Sequence, residues 1–167
     1  MRKIFLFSVI VLFSLQVTAQ QNKGGINYML GFDFPVGDIY KRAGVGGALS
    51  IGYSYQTSEK TAVCLSTGLD AIVSKDDAAS FVGFYLDPGF GYAINNKWDC
   101  FVGAGPAYAI RGNNRFDFGY NVGVGIGRKI FIGESFIPLS LSFSVYGIQQ
   151  EYYPMATLGV TLGAMKF

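Results

Sequence analysis

The sequence predicts an all-β protein in which eight antiparallel strands close up-and-down into a transmembrane barrel behind a cleaved signal peptide. Three observations lead to this fold class. Eight segments alternate residue by residue between large apolar and small or polar side chains, which is the period of a β-strand. Hydrophobic residues make up 50% of the 167 residues and charged residues only 14%, against roughly 25% charged residues in a soluble domain. Glycine occurs 23 times, about twice its usual share, mostly opposite the large apolar residues.

The first 19 residues have the pattern of a secretory signal peptide. Arg2 and Lys3 precede an apolar run over 4–15, and small residues precede a cleavage point after Ala19. The run is shorter than the roughly 20 apolar residues of a membrane-spanning helix. Residues 1–19 are therefore assigned to the signal peptide, and the mature chain keeps 11 basic and 11 acidic residues. A neutral chain gives no reason to expect nucleic-acid binding.

The mature chain, residues 20–167, is predicted to form one barrel domain. The predicted strands are 25–34, 45–56, 62–73, 81–94, 100–111, 116–128, 137–147 and 155–167. Most are long enough for a tilted strand to cross a bilayer, which takes about 9–11 residues. The last segment changes parity between Leu162 and Met165, so we expect a bulge near Gly163.

The chemistry of the two strand faces favours a membrane barrel over a soluble one. A soluble barrel places its large apolar residues inside, whereas here the second face is glycine, serine, alanine and asparagine with a few charges. Such residues fit the narrow interior of eight strands, and the large apolar residues then face lipid. Three short connections at 57–60, 95–97 and 133–135 alternate with connections at 35–43, 74–80, 112–115 and 148–154. We expect the first group in the periplasm and the second group outside the cell.

The strand pattern and the C-terminus together resemble a known family. Residues 24–167 resemble the small eight-stranded outer-membrane barrels of the OmpA and OmpX type, especially the barrel-only proteins of Bacteroidetes-like bacteria. The terminal Phe167, with apolar Met165 two positions before it, is similar to the signal read by the barrel-assembly machinery. The resemblance implies a porin-like architecture in a Gram-negative outer membrane, with outer-membrane lipid and the assembly machinery as partners. It says little about function.

Catalytic and metal chemistry find little support in the composition. The chain has no histidine, which removes imidazole bases and ligands. The lipid A deacylases, palmitoyltransferases and proteases that share this kind of barrel depend on histidine, so none of their sites carries over. We predict no enzyme, no cofactor and no metal site. Cys64 and Cys100 have opposite parity on the third and fifth strands, so we expect free thiols rather than a disulfide.

The inward parity of several polar residues predicts a network inside the barrel. Its members are Asp33, Asp70, Asp87, Arg111, Asp117, Asn121 and Arg128. Since buried charges need partners, we expect this network to fill the lumen as a structural element. A polar conduit or binding pocket is the alternative.

Aromatic residues near the strand ends predict interfacial girdles. They are Tyr40, Phe81, Trp98, Phe131, Phe136, Tyr152, Tyr153 and Phe167. A sugar or adhesion site around Tyr40 or around Tyr152 and Tyr153 is the alternative.

The function predicted first is a non-enzymatic, integral outer-membrane barrel with a filled lumen and a structural or surface-interaction role. Any extracellular ligand would bind through the short loops. A narrow pore or small-solute transport barrel is the second hypothesis, and a soluble periplasmic ligand-binding barrel is the third.

Overall fold

A computed structural model describes residues 24–37, 43–74, 80–111, 115–132, 135–149 and 151–162. They form β1 (Gly24–Pro35), β2 (Ala43–Gln56), β3 (Thr61–Ser74), β4 (Phe81–Ala93), β5 (Trp98–Arg111), β6 (Arg115–Ile132), β7 (Ser135–Ile148) and β8 (Glu151–Leu162). Each strand pairs antiparallel with the next, and β8 pairs with β1, so the sheet is a closed barrel in chain order. The predicted fold class is confirmed. The signal peptide, Met165 and Phe167 lie outside the described residues.

The alternation along each strand sorts side chains to the two faces of the barrel as predicted. Large apolar residues are exposed on the outside, with Phe118 at 82% and Val73 at 72% of their full exposure. Residues of the other parity, such as Asp33 at 0%, lie inside. Closure matters because a barrel leaves no unpaired edge, so its backbone groups can be satisfied in lipid. No helix in the described part of the chain is long and apolar enough to span a membrane.

The strand bounds differ from the prediction most clearly at the last hairpin. The connection predicted at 148–154 is wrong, because Ile148 already pairs with Glu151 and β8 begins there. Gln149 has a φ of 46°, and positive φ is the geometry of tight hairpin turns. The shorter turn brings Tyr153 and Pro154 into the sheet, where the Pro154 carbonyl accepts a 3.0 Å hydrogen bond from the Val36 amide.

The ladder between β4 and β5 has a gap near the middle of both strands. Pairing is recorded from Phe81 to Tyr85 and again from Gly89 to Ala93, but not between. Pro88 and Pro106 lie in the unpaired stretch, and neither has an N–H to donate. The gap therefore follows from the sequence, and it includes Asp87.

The barrel has two distinct ends. The connections at 57–60, 94–97 and 133–134 define the turn end, and the strand connections at 36–42, 75–80, 112–114 and 149–150 define the loop end. The polar residues predicted for the lumen lie on the inner wall between these ends, with one exception described below.

Candidate functional site in the lumen

The lumen near the loop end contains a packed cluster that we call the aromatic plug. Its members are Ile72, Phe81, Tyr85, Tyr146, Ile148, Tyr153 and Met155. The ring of Phe81 meets that of Tyr146 edge-on, with centroids 5.1 Å apart, and stacks on that of Tyr153 at 4.9 Å. Tyr146 is fully buried and Phe81 is 2% exposed. Several large side chains therefore cross an interior that eight strands leave only just wide enough to hold them.

Gly83 makes room for the plug. A Cβ atom at this position would lie 2.7 Å from Phe81 Cε1 and 2.8 Å from Tyr146 Cε1. The inner wall is thus small where the rings are large, which is how a narrow barrel accommodates aromatic side chains. Glycine on the inner face has a packing reason here.

Arg111 organises a group of polar side chains at the loop end, which we call the mouth network. Its Nε donates to Asp117 Oδ2 at 3.0 Å, and Nη2 also contacts that oxygen. Its Nη1 donates to Glu151 Oε2 at 2.6 Å and to the Tyr153 hydroxyl at 3.2 Å. Gln149 donates to the other oxygen of Asp117. Predicted residues Arg111 and Asp117 therefore do meet, with partners that the sequence did not indicate.

Three further aspartates lie deeper and have neutral partners, and we call them the inner acids. Thr157 Oγ1 donates to Asp33 Oδ1 at 2.6 Å, the Tyr146 hydroxyl donates to Asp70 Oδ2 at 2.7 Å, and Asn121 Nδ2 donates to Asp87 Oδ2 at 2.6 Å. Asp33 and Asp87 are near enough to Asp70 for their charges to repel it. The predicted residues therefore form separate groups rather than one network of ion pairs.

Arg128 is the exception among the predicted lumen residues. It lies exposed on the outer face near the turn end, where its guanidinium carbon is 5.0 Å from the centre of the Trp98 ring. Arg128 shares the parity of Ile126 and Ile130, both exposed on the outside. The prediction that Arg128 joins the lumen network is therefore wrong, and strand parity predicts the observed position.

A cavity of about 130 Å³ lies in the lumen next to the plug. Its lining reaches from the plug residue Tyr85, together with Asp70 and Thr157, to Asn27 and Thr161 closer to the turn end. One water molecule needs roughly 10–15 Å³ of such space, so the cavity has room for several small molecules. Large side chains therefore pack at the loop end of the lumen, whereas this part of the barrel contains open space that the predicted filled lumen did not include.

The two cysteines lie on opposite sides of the barrel wall. Cys64 lines the cavity, whereas Cys100 has the outward parity of its partner Tyr92 and its thiol contacts the Tyr92 carbonyl at 3.7 Å. Both are free, as the parity argument predicted.

Some of the predicted girdle residues lie exposed on the outer face, whereas two lie inside the barrel. Trp98 is partly exposed and stacks with Arg128, and Tyr152 is 61% exposed. Phe81 and Tyr153, by contrast, point inward into the plug. Tyr40 and Phe167 lie outside the described residues. The inward parity of Phe81 and the aromatic rings of Tyr85 and Tyr146 on a face of small residues were the signals in the sequence for a plug.

The closed antiparallel barrel, its exposed apolar outer face and its plugged interior define a small integral outer-membrane β-barrel protein. Residues 6–160 match the family described as "Putative MetA-pathway of phenol degradation", and the chain belongs to this family. No protein in a search of curated sequences matches the chain.

Solved structures of outer-membrane barrels share this fold. Ail, the attachment invasion locus protein of Yersinia pestis, is similar with a TM-score of 0.59 at 10% identity, over 84% of this chain and 99% of that one. Neisserial surface protein A is similar with a TM-score of 0.55 at 11% identity, over 86% and 99%. Ail in complex with the heparin analogue sucrose octasulfate is similar with a TM-score of 0.53 at 13% identity, over 84% of this chain and 99% of that one. These likenesses show that the chain shares the fold of small bacterial outer-membrane barrels.

The chemistry available inside the barrel is hydrogen bonding and charge. Within the described ranges, no group of three or more cysteine, aspartate or glutamate residues could hold a metal ion. The inner acids contact hydroxyl and amide donors, and Arg111 is occupied by two carboxylates. Such an arrangement can position side chains and bind a polar solute.

Proposed function

We propose that the protein is a non-enzymatic barrel with a structural or surface-interaction role, closed to solutes by its aromatic plug. The observation that carries the proposal is the buried packing of Phe81, Tyr146, Ile148 and Met155 across the lumen. The mouth network lies at the same end of the barrel, where Arg111 bonds residues of β6 and β8. Together these layers support a rigid, non-conducting barrel rather than an open channel.

The family description refers to phenol degradation, but we propose no catalytic step for this chain. It has no histidine, and its inner carboxylates are held by hydroxyl and amide groups. A general acid or base must reach the proton it transfers. If the protein takes part in phenol degradation, we propose that it acts as a membrane barrel and catalyses no step of the pathway.

Surface interaction is proposed for the loop end, where an extracellular ligand would bind through the short connections. Ail has been crystallised with a heparin analogue, which supports surface binding as a role that this fold can carry. The barrel-assembly machinery is the proposed partner during insertion, through Met165 and Phe167 at the C-terminus.

A narrow pore is the second candidate, because the cavity already occupies part of the lumen. Recording in planar lipid bilayers separates the two. We expect no steady conductance from the wild-type protein, since the plug closes the interior. A Phe81→Ala, Tyr146→Ala double variant should show single-channel openings if it remains folded, because the two rings lie across the lumen. A steady conductance from the wild-type barrel would contradict the closed-barrel proposal and favour the pore.

A further inference from the structure

The cavity beside the plug has an unusual balance of charge and hydrogen-bonding groups. Two carboxylates, Asp70 and Asp87, are part of its lining, and no lysine or arginine among the described residues lines it. Serine and threonine hydroxyls complete much of the wall, including Ser50, Ser66 and Thr157. Carboxylates in a protein interior are normally paired with cations or fully hydrogen-bonded.

Two oxygen atoms at this cavity have no partner. They are Asp87 Oδ1 and Asn121 Oδ1, on residues that are 6% and 3% exposed. The hydrogen bond from Asn121 Nδ2 occupies the other oxygen of Asp87, so the pair leaves both of these atoms as acceptors. An ionised carboxylate and an amide oxygen can only accept. The missing counterpart of an ionised Asp87 is therefore a donor, and a cationic donor would hold Asp87 in that ionised form.

We propose that this cavity binds a small primary ammonium ion between Asp87 and Asn121. An –NH₃⁺ group carries three donors and one positive charge, which matches two free acceptors in an acidic, hydroxyl-lined cavity. A divalent metal ion fits less well. Calcium, for example, takes six or more oxygen ligands, and the described residues contain no group that could hold a metal ion. The volume of about 130 Å³ admits an ion with a short alkyl chain. The proposal does not depend on the closed-barrel function, since the cavity lies beside the plug.

Cys64 is a built-in reporter of this cavity, because its thiol is free and lines the wall. The experiment uses the full-length barrel, folded in detergent, with Cys100→Ser to remove the outer thiol. The rate at which Cys64 reacts with 2-aminoethyl methanethiosulfonate, a primary ammonium, is compared with its rate with the anionic 2-sulfonatoethyl methanethiosulfonate. Each rate is divided by the rate for a free small thiol. We expect Cys64 to react at least about tenfold faster with the ammonium reagent than with the anionic one. Tenfold is the lower end of the rate increase that a charged cleft gives an oppositely charged molecule.

Competition tests binding directly. Methylammonium should slow the labelling of Cys64 in a saturable way, whereas tetramethylammonium, which has no N–H donor, should not protect at equal ionic strength. Asp87→Asn should reduce both the reagent preference and the protection by at least about threefold. Asp117→Asn is the matched control, since Asp117 is also inward and only 3% exposed but lies in the mouth network and is not part of the cavity lining.

Several results would overturn the ammonium site. They are equal protection by both ammonium ions, no reagent preference, no labelling of Cys64 by either reagent, and a preference that Asp87→Asn leaves intact. If Asp87→Asn does not fold, the competition between methylammonium and tetramethylammonium on the Cys100→Ser protein decides alone. Conductance recordings are unaffected by these outcomes, so failure here leaves the closed-barrel proposal standing.

Discussion

Arg111 joins more polar groups than any other described side chain at the mouth, so its removal should destabilise the barrel. Its guanidinium binds Asp117, whose side chain is 2% exposed, and Glu151, whose side chain is 59% exposed. Arg111→Ala leaves the Asp117 carboxylate buried without a cation. We expect a loss of about 2 kcal/mol, below the 3–5 kcal/mol of a fully buried pair. The thermal unfolding midpoint should fall by roughly 4–8 °C. It is measured by heating samples to a series of temperatures and reading the change in their gel mobility.

Arg128→Ala is the matched control for this prediction. Arg128 contacts the Trp98 ring on the exposed outer face, and an exposed cation–π contact contributes roughly 0.5–1 kcal/mol. Its midpoint should therefore fall much less than that of Arg111→Ala. Equal midpoints for the two variants would count against a stabilising mouth network.

Tyr146 connects the plug to the inner acids through one hydroxyl group. Tyr146→Phe keeps the ring in contact with Phe81 but removes the 2.7 Å hydrogen bond to Asp70. Leaving a buried acceptor unsatisfied costs roughly 1–3 kcal/mol, so the free energy of unfolding in urea should fall by that amount. Tyr53→Phe, on the outer face at 50% exposure, should change little. An unchanged stability for Tyr146→Phe would mean that this hydrogen bond contributes nothing.

Parity predicts which face a residue occupies, but it does not predict which inward residues meet. Asp33, Asp70, Asp87 and Asp117 all point inward as expected. Their partners Thr157, Tyr146 and Asn121 come from other strands, and Gln149 comes from the turn after β7. The pairing therefore depends on how the strands are staggered around the barrel. That stagger is set by closure of the whole sheet and is not visible in any single segment.

A single strand carries both environments of the barrel, and β6 allows them to be tested side by side. Val124 is 50% exposed on the outer face, and an arginine on the lipid face costs about 2–4 kcal/mol near the bilayer midplane. Val124→Arg should therefore lower the free energy of unfolding in lipid vesicles by up to that amount or reduce insertion.

The neighbouring residue on β6 supplies the control. A Cβ at Gly123 would lie 3.8 Å from Phe143 O and Ser144 Cβ, which is ordinary contact, so Gly123→Ser should insert and fold normally. If both substitutions were tolerated equally in vesicles, the outward assignment of Val124 to lipid would be wrong.

The elements that the sequence predicted least well are those near the loop end of β8. Segment 148–154 contains a glutamate, two glutamines and a proline, a composition typical of a loop. In the barrel Glu151 pairs with Ile148 across a tight turn, and Pro154 pairs with Val145. Pairing with β7 and the mouth network override the local preference. Because the sequence predicted β8 to begin at 155 rather than at Glu151, Tyr153 was predicted to lie in a girdle and not in the plug.

The whole barrel depends on a seam between its first and last strands. The seam joins β1 and β8 over eight register pairs from Tyr28 with Leu162 to Pro35 with Met155, so the two most distant parts of the chain must meet. Such long-range pairing forms late and slowly in folding, yet without it both strands expose unpaired edges to lipid, which the bilayer does not tolerate. Closure and insertion are thus expected to be coupled, and the register of the seam is the most direct test of the architecture.

An engineered disulfide across the seam tests that register. Phe32 and Leu158 are direct partners on the outer face, and directly opposed residues have Cα atoms about 4.5–5.5 Å apart, within the range that a disulfide bridges. In a Cys64→Ser, Cys100→Ser background, Phe32→Cys with Leu158→Cys should cross-link under mild oxidation. The boiled, non-reduced chain should then migrate differently from the reduced chain. Phe32→Cys with Val160→Cys is the control, because Val160 pairs with Leu30 and the diagonal separation of about 7–8 Å is too long. Equal cross-linking of the two pairs would contradict the register, and cross-linking of neither would contradict the closed barrel.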